Sequence, residues 1–211
     1  MDNAPEKLNS SEIELLLNLA RETLANIVVG SALPKPDVGS LSPRLTERRS
    51  CFATLRNRGE LRGCVGNLVA AKPLFEAVME SVSGAARRDS RFQPVRAEEL
   101  DIIRIEISIL SDPVVLKSES PDVLLGMLQP GRHGVLLRIG DRTSTFLPKV
   151  WDEIPDKEEF LSRLCAKAGF EPVAWRGKDA ILSVYEAEVI EDNNPSASNL
   201  NQSAPNNIVP E

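Results

Sequence analysis

The spacing of apolar residues predicts that the chain begins with a long helix. Between Ser10 and Gly30, apolar positions recur every three or four residues, the period of a helix that buries one face. Ser11 and Glu14 have the spacing of an N-terminal capping box, and Gly30 suits a helix end. We therefore expect a helix here, preceded by a flexible N-terminus at residues 1–11.

Further along the chain, the helical period and the two-residue alternation of strands predict more helices and strands. Ile103, Ile105, Ile107 and Ile109 alternate with polar neighbours, which is typical of a half-buried strand. Arg58-Gly59 separates two other strand-like runs, so these are expected to form a hairpin. Strands are predicted at residues 51–57, 60–68, 102–110, 133–140 and 181–191, and helices at residues 73–89, 120–131 and 156–170.

The order of these elements predicts the fold class. Strands joined by both a hairpin and helices indicate an α+β fold, with a mainly antiparallel or mixed sheet flanked by helices. Residues 31–50 carry three prolines and are expected to form a connecting loop. Residues 193–211 lack aromatic residues and apolar periodicity, which predicts a disordered tail. The folded domain is therefore placed at residues 12–192.

Composition narrows the class of protein. The 211 residues are 42% hydrophobic, enough for one sizeable domain or two small lobes. No apolar run approaches the roughly 20 residues of a membrane span, so no membrane association is expected. The polar, acidic start lacks the features of a signal peptide, and three cysteines are an odd count. We expect reduced thiols and a cytoplasmic location.

Charge is distributed unevenly along the chain. The net charge of −6 argues against general affinity for nucleic acids. Residues 44–96 nevertheless contain ten arginines and one lysine against five acidic residues. Arginine is favoured where carboxylates or phosphates are bound by a planar fork of donors. This basic stretch is interpreted either as a solvated face or as a binding site for a small anionic ligand.

Several short motifs then point to a known family. LRGCVG, RFQPV followed by EEL and IEISIL, GRHGV, FLPKVW and LCAKAG occur in this order between residues 51 and 191. Together they resemble the AMMECR domain family, whose signature is an LRGC-hydrophobic-G motif. The chain departs from the family pattern at Val65, where isoleucine is commoner, and at Ser90, where the family has proline.

The resemblance implies a fold and a set of partners. Members of this family are cytosolic and form an α/β body of two subdomains, the larger containing both chain termini, and their activity is unassigned. In prokaryotes the domain is often encoded beside a Memo-like protein and a radical SAM enzyme, as the AmmeMemoRadiSam system. The resemblance therefore implies these two proteins as partners and names no reaction.

Strand alternation suggests a role for the cysteine of the LRGCVG motif. Leu61, Gly63 and Val65 are expected to face one side of the strand, and Arg62, Cys64 and Gly66 the other. A cation two residues from a thiol favours the thiolate, which is the nucleophile and the metal ligand. Gly66 would leave room for a ligand beside it, and Gly63 is placed with Gly66 among the candidate substrate-binding residues.

A symmetric hairpin around Arg58-Gly59 adds small residues to the same face. Ala53 would then lie opposite Cys64, and Cys51 opposite Gly66, with Cys51 diagonal to Cys64. Small side chains on this face would suit either the binding of a ligand or tight packing of the protein. The alternative interpretation is that Cys64 is a small buried hydrophobic residue.

A candidate base accompanies the thiol. His133 is the chain's single histidine, flanked by Arg132 and glycines, and the family resemblance carries both it and Cys64 as motif positions. Asp89 would orient the imidazole, completing a Cys-His-Asp arrangement. The alternative is that His133 only forms hydrogen bonds within its loop.

Other chemistries have weaker support. No C-x-x-C pair occurs, so no metal site is predicted, and a long-range Cys51/Cys64/His133 site remains the alternative. The sequence identifies no cofactor. Cys165, Trp151 and Trp175 are expected to pack in the core.

Three functions are consistent with these residues. The first is an enzyme acting on a small anionic substrate, with Cys64 as nucleophile, His133 as acid and base, and Arg62 with Arg91 orienting the anion. The second is a non-catalytic adaptor for a Memo-like or radical SAM partner, in which Arg62, Arg91 and Arg132 supply contacts. A nucleic-acid-binding protein ranks third.

Overall fold

The computed structural model describes residues 7–118 and 120–192. Within them the chain forms five α-helices and eight β-strands, and it has the predicted α+β class. The helices are α1 (Ser10–Val29), α2 (Pro43–Thr46), α3 (Leu74–Arg87), α4 (Pro121–Met127) and α5 (Lys157–Lys167). The strands are β1 (Cys51–Asn57), β2 (Glu60–Gly66), β3 (Ile103–Leu110), β4 (Val114–Val115), β5 (Gly134–Ile139), β6 (Arg142–Phe146), β7 (Ala180–Tyr185) and β8 (Ala187–Glu191). Short 3-10 turns occur at Val38–Ser40, Ala97–Glu99, Pro148–Asp152 and Ala174–Arg176.

The first helix has its predicted length but a different cap. The Asn9 side chain accepts a hydrogen bond from the Glu12 amide at 3.0 Å, and the Glu12 carboxylate accepts one from the Asn9 amide at 2.9 Å. The capping box predicted at Ser11 and Glu14 is therefore wrong by two residues, because Asn9 and Glu12 have the same spacing and are both good capping residues. Gly30 ends the helix with φ of 77°, as predicted.

The chain before α1 is held in place where it is described. The Leu8 amide donates a hydrogen bond of 3.1 Å to the Glu188 carboxylate. Ser10 and Ser11 form part of the first turn of α1, so the helix starts ahead of the boundary predicted at residue 12. The rest of the predicted flexible N-terminus (residues 1–6) and the predicted disordered tail (residues 193–211) lie outside the described residues.

The described chain divides into two compact units. The larger unit comprises residues 7–109 and 188–192, and the smaller unit comprises residues 110–118 and 120–187. Each has a four-stranded sheet, with strand orders β2-β1-β3-β8 and β4-β7-β5-β6. The segment 181–191, predicted as one closing strand, is two strands because the chain leaves one sheet at Glu186 and enters the other. The alternation of residues 181–191 continues through Glu186, so the sequence does not show where the first strand ends.

In the larger unit, α3 packs against β1, β2 and α1. The isoleucines of β3 are buried in this core, as their alternation predicts. Their polar neighbours Glu106 and Ser108 are buried as well, so the prediction of a half-buried strand is wrong. Glu106 tolerates burial because it forms an ion pair with Arg56 at 3.7 Å. The buried core includes Leu16, Leu24, Leu45, Ala53, Leu55, Leu74, Val78, Val82, Ile105 and Ile107.

The predicted hairpin forms, but with a different register. Arg58 and Gly59 both have positive φ, 52° and 87°, which is the geometry of a two-residue type I′ turn. The strand pairing then shifts by one residue between Leu55 and Arg56. This bulge places Thr54, not Ala53, opposite Cys64.

The same shift places Phe52, not Cys51, opposite Gly66. The predicted cross-strand neighbours of the LRGCVG motif are therefore wrong by one residue. Leu61 pairs with Arg56 before the bulge and Gly63 pairs with Leu55 after it, so these two residues do not share a face as expected.

The smaller unit has an aromatic core. Trp151 stacks on Phe160 with ring centroids 3.6 Å apart, and Trp175 is buried nearby in the same cluster. Cys165 is also buried there, so the predicted packing roles of these side chains are confirmed. The sequence analysis missed β4 and β6, because β4 has only two residues and β6 carries a polar run without clear alternation.

None of the helices described in residues 7–118 and 120–192 is both long and apolar enough to cross a membrane.

Candidate active site

The two glycines of the LRGCVG motif allow close packing of backbone. A Cβ atom at Gly63 would overlap the carbonyl oxygen of Ala85 in α3, and one at Gly66 would overlap the Cys51 carbonyl and Phe52. The position that a side chain would take at either glycine is therefore filled by the protein itself. The room predicted beside Gly66 is absent on that side, because the Cys51 carbonyl and Phe52 occupy it.

Cys64 differs from the two other cysteines in its exposure. Cys51 and Cys165 are 0% exposed, whereas Cys64 is partly exposed. Its Sγ accepts a hydrogen bond from the Thr54 hydroxyl at 3.4 Å, and Thr54 is only 5% exposed. Cys64 is therefore the least buried of the three cysteines, and its sulfur has a defined hydrogen-bond partner.

Cys51 faces the opposite side of the sheet, toward α3. Its Sγ lies 3.6 Å from the Ser81 hydroxyl, and burial raises the pKa of the thiol to about 11. The prediction that Cys51 and Cys64 share one face is wrong, because the register places odd-numbered residues of β1 in the core.

The loop after α3 supplies a carboxylate to the Cys64 backbone. Asp89 Oδ2 accepts a hydrogen bond of 2.8 Å from the Cys64 amide, on the outer edge of β2. Arg91 donates to the same carboxylate through Nε (2.9 Å) and Nη2 (2.7 Å). These bonds from Arg91 lower the pKa of Asp89 to about 2, with the Cys64 amide contributing and burial opposing. Asp89 is therefore ionised throughout the physiological range.

Arg91 is the cation that Asp89 joins to the Cys64 backbone. Its side chain is 55% exposed, although one edge of the guanidinium is bound by Asp89. The hydrogen bond with Asp89 raises the pKa of Arg91, and the charge interaction with Cys64 also contributes. Ser90 stands where the family has proline, yet the turn is closed by a hydrogen bond of 3.2 Å from the Arg91 amide to Asp89.

Arg62, the cation predicted to accompany Cys64, is bound elsewhere. Its Nε and Nη2 donate to the Glu99 carboxylate at 2.7 and 3.0 Å, and Nη2 also donates to the Pro94 carbonyl at 3.2 Å. The bulge between Leu61 and Gly63 takes Leu61 out of the predicted alternation, and the guanidinium of Arg62 is occupied by Glu99 and Pro94. The Arg62–Glu99 pair ties β2 to the segment that follows Asp89.

His133 lies in the smaller unit, in the turn before β5. Its Nδ1 accepts a hydrogen bond of 3.2 Å from the Gln129 amide, so Nε2 carries the proton of the neutral ring. Its carbonyl accepts a hydrogen bond of 2.7 Å from Trp151 Nε1. Burial lowers the pKa of His133, the charge of Arg132 lowers it further, and Glu186 opposes both.

The hydrogen bonds of Asp89 and His133 differ from those of the predicted Cys-His-Asp arrangement. Asp89 accepts from Cys64 and Arg91, and His133 Nδ1 accepts from Gln129 and has no proton to donate to a carboxylate. The structure thus brings Cys64, Asp89 and Arg91 together in the larger unit. Arg132, in the smaller unit, pairs with Glu186 at 2.7 Å.

The titration of His133 provides a direct check on its surroundings. We expect its pKa to lie below the ordinary value of 6.5, because burial and Arg132 disfavour the imidazolium. Glu186→Gln should lower that pKa further, and Arg132→Gln should raise it. Proton NMR of the single histidine measures all three values. A pKa above 6.5, or shifts of the opposite sign in the variants, would contradict this account.

Two residues of this region were missed by sequence reasoning. Thr54 contacts the thiol and lies in no recognised motif, and Glu99 binds Arg62 and belongs to the EEL motif, although that motif gives no sign of its partner. Their roles depend on the bulge and on a contact between residues 37 positions apart. No group of three or more His, Cys, Asp or Glu side chains in the described part of the chain is arranged to hold a metal ion.

Comparisons with known proteins agree on one family. The AMMECR1 family model matches residues 17–190. Protein MK0488 of Methanopyrus kandleri is 38% identical over 198 residues, covering 90% of this chain and 93% of its own length. Protein MJ0810 of Methanocaldococcus jannaschii is 35% identical over 191 residues, covering 89% and 94%. The crystal structure of uncharacterized protein PH0010 from Pyrococcus horikoshii superposes with a TM-score of 0.83 at 30% identity, covering 89% of this chain and 95% of that one.

Proposed function

The chain belongs to the AMMECR1 family, and from this membership and the geometry around Cys64 we propose that it is an enzyme acting on a small anionic substrate. Cys64 is the nucleophile, and Arg91 binds the anionic group of the substrate. The proposal uses residues of the larger unit alone.

One observation carries this proposal. A single carboxylate, Asp89, binds both the backbone amide of Cys64 and the guanidinium of Arg91. The Cys64 backbone and the cation are therefore held in one fixed arrangement, which supports the positioning that nucleophilic catalysis requires. Ionised Asp89 serves as the positioning residue, and half of the Arg91 side chain remains exposed to a ligand.

The surroundings of the sulfur fit this role. The Thr54 hydroxyl donates a hydrogen bond to Sγ, which fixes its position against the sheet. Arg91 provides positive charge next to Asp89, the carboxylate that binds the Cys64 amide, and an incoming carboxylate or phosphate would be attracted there. A substrate bound in this way would present an electrophilic carbon to Sγ while its charged group contacts Arg91.

The test is the selectivity of Cys64 for charged reagents. Iodoacetate and iodoacetamide both transfer a two-carbon group to sulfur and release iodide, but only iodoacetate is an anion. We expect Cys64 to react with both in the folded protein, and Arg91→Gln to lower the iodoacetate-to-iodoacetamide rate ratio about 5-fold, corresponding to about 1 kcal/mol of charge interaction. Peptide mass spectrometry measures the rate at each cysteine.

Matched variants separate the charge effect from a loss of structure. Arg91→Lys keeps the charge and should retain most of the selectivity, and Lys35→Gln removes an exposed charge elsewhere in the larger unit and should leave the ratio unchanged. Buried Cys51 and Cys165 serve as internal references and should react slowly. Labelling of Cys64 no faster than these two, or a ratio that does not change in Arg91→Gln, would refute the proposal.

A further inference from the structure

A small cavity lies in the larger unit, between β2, the connection from β2 to α3, and α3 itself. Its volume is about 90 Å³. Val65 and Gly66 form one wall, and Ala77, Glu80 and Ser81 of α3 form another. Cys64, Asp89 and Arg91 are not part of its lining.

Three cations from separate segments line this cavity. Arg49 precedes β1, Lys72 precedes α3, and Arg88 follows α3. Glu80 is the one carboxylate in the lining, and it pairs with Lys72 at 3.0 Å. The cavity therefore has a net positive charge in a protein whose total charge is −6.

Arg49 is the cation with the least access to solvent. Its side chain is 16% exposed, and its ion pair with the 57% exposed Glu47 is long, at 3.9 Å. A guanidinium that is largely buried and weakly paired gains the most from an anionic ligand, because burial weakens its hydration. Arg49 is thus the residue expected to contribute most to the affinity for an anion.

Neutral donors complete the lining. The buried Ser81 hydroxyl makes long contacts of 3.4 Å and 3.6 Å with the Cys51 carbonyl and Sγ. Gly66 is two residues after Cys64, whose amide points outward from the edge of β2 to Asp89. By the two-residue period of a strand, the Gly66 amide points to the same edge. Cations, a hydroxyl and an amide are the donors that oxyanions bind in proteins.

From this arrangement we propose that the cavity binds a phosphate-sized oxyanion, either as free inorganic phosphate or as the phosphate group of a small phosphomonoester. Arg49, Lys72 and Arg88 neutralise it, and Ser81 with the Gly66 amide donates hydrogen bonds to it. The site is separate from the Cys64 site, and its ligand is independent of the reaction proposed there.

Isothermal titration calorimetry on the full chain tests this proposal. Inorganic phosphate and glycerol 3-phosphate are titrated separately, at ionic strength held constant with sodium chloride. Arg49→Gln should weaken phosphate binding about 10-fold, the effect of losing about 1.4 kcal/mol of charge interaction. Glu80→Gln should strengthen it several-fold, because it removes the opposing carboxylate and frees Lys72. A gain in affinity cannot result from a misfolded variant.

The exposed Lys35→Gln variant removes one positive charge from the same unit outside the cavity, and it should bind phosphate as the wild type does. Tighter binding of glycerol 3-phosphate than of phosphate would identify a phosphomonoester as the ligand of the cavity. Tighter binding of phosphate would identify the free anion as the ligand. Heats equal to those of sodium chloride, or equal affinity in the wild type, Arg49→Gln and Glu80→Gln, would overturn the proposal.

Discussion

Gly63→Ala is expected to destabilise the protein by about 3 kcal/mol, at the upper end of the usual cost of overpacking. The added Cβ would overlap the carbonyl oxygen of Ala85, which is helix backbone and cannot rotate away. Either α3 or β2 has to move, and α3 packs on both strands of the hairpin and on α1. Urea unfolding followed by far-ultraviolet circular dichroism measures the change in the free energy of unfolding.

Gly39→Ala is the matched control in the same unit. A Cβ there would meet only Asp37 Oδ1, at an ordinary contact distance of 3.4 Å, so we expect a change within about 0.5 kcal/mol. Combining Gly63→Ala with Ala85→Gly should not restore stability, since the overlapping atom is a carbonyl oxygen. A stable Gly63→Ala protein, or rescue by Ala85→Gly, would show that the strand and helix are not packed as described.

Glu99→Gln is expected to lower the free energy of unfolding by about 2–3 kcal/mol. The Glu99 carboxylate accepts hydrogen bonds from Arg62 Nε and Nη2, the Arg96 amide and Asn57 Nδ2. Arg62 is 16% exposed, and its Nη1 is buried without a hydrogen-bond partner among the described residues. Removing the carboxylate charge leaves this guanidinium largely buried and uncompensated, which is the costly way to break an ion pair.

The dependence on pH distinguishes this loss from a general packing defect. The hydrogen bonds from Arg62 lower the pKa of Glu99 below its ordinary value of 4.5. A carboxyl with a lowered pKa in the folded state stabilises the protein above its unfolded pKa, and this contribution is lost as pH falls through the folded pKa. The difference between wild type and Glu99→Gln should therefore be complete at pH 7 and shrink as pH falls below about 4.5.

Glu159→Gln provides the control for the same loss of charge. Glu159 pairs with Arg163 on the surface of α5, with both side chains more than half exposed. Exposed pairs contribute about 0.5 kcal/mol or less, so this variant should unfold nearly as the wild type does. Equal losses in the two variants, or a loss in Glu99→Gln that is constant with pH, would contradict the role given to the Arg62–Glu99 pair.

Local patterns were sufficient for most of the elements. The period of the apolar residues predicts α1, α3 and α5, and Arg58-Gly59 predicts the turn of the hairpin, because these features depend on residues close in sequence. The missed strands show where such reasoning stops. A two-residue strand such as β4 has too few residues to display a period, and β6 forms because it pairs with β5 rather than because of its own pattern.

The candidate site was predicted in part. Strand position and the family resemblance both pointed to Cys64, and Asp89 and Arg91 were named, although for other partners. The expected neighbour was Arg62, since it lies two residues away. Glu99 binds the guanidinium of Arg62, whereas Asp89 joins Arg91 to the backbone amide of Cys64.

The amino-acid sequence was enough to establish the family, the α+β class, the long first helix, the hairpin and the cysteine that belongs to its motif, because each rests on short-range periodicity or on motif residues. The packed fold was needed to establish which strand residues face each other and which carboxylates bind Arg62, Arg91 and the Cys64 amide. These contacts depend on a one-residue bulge, on a hydrogen bond between residues 25 positions apart and on an ion pair between residues 37 positions apart. A charged side chain selects its partner among all groups that folding brings within reach, and spacing along the chain does not reveal those groups.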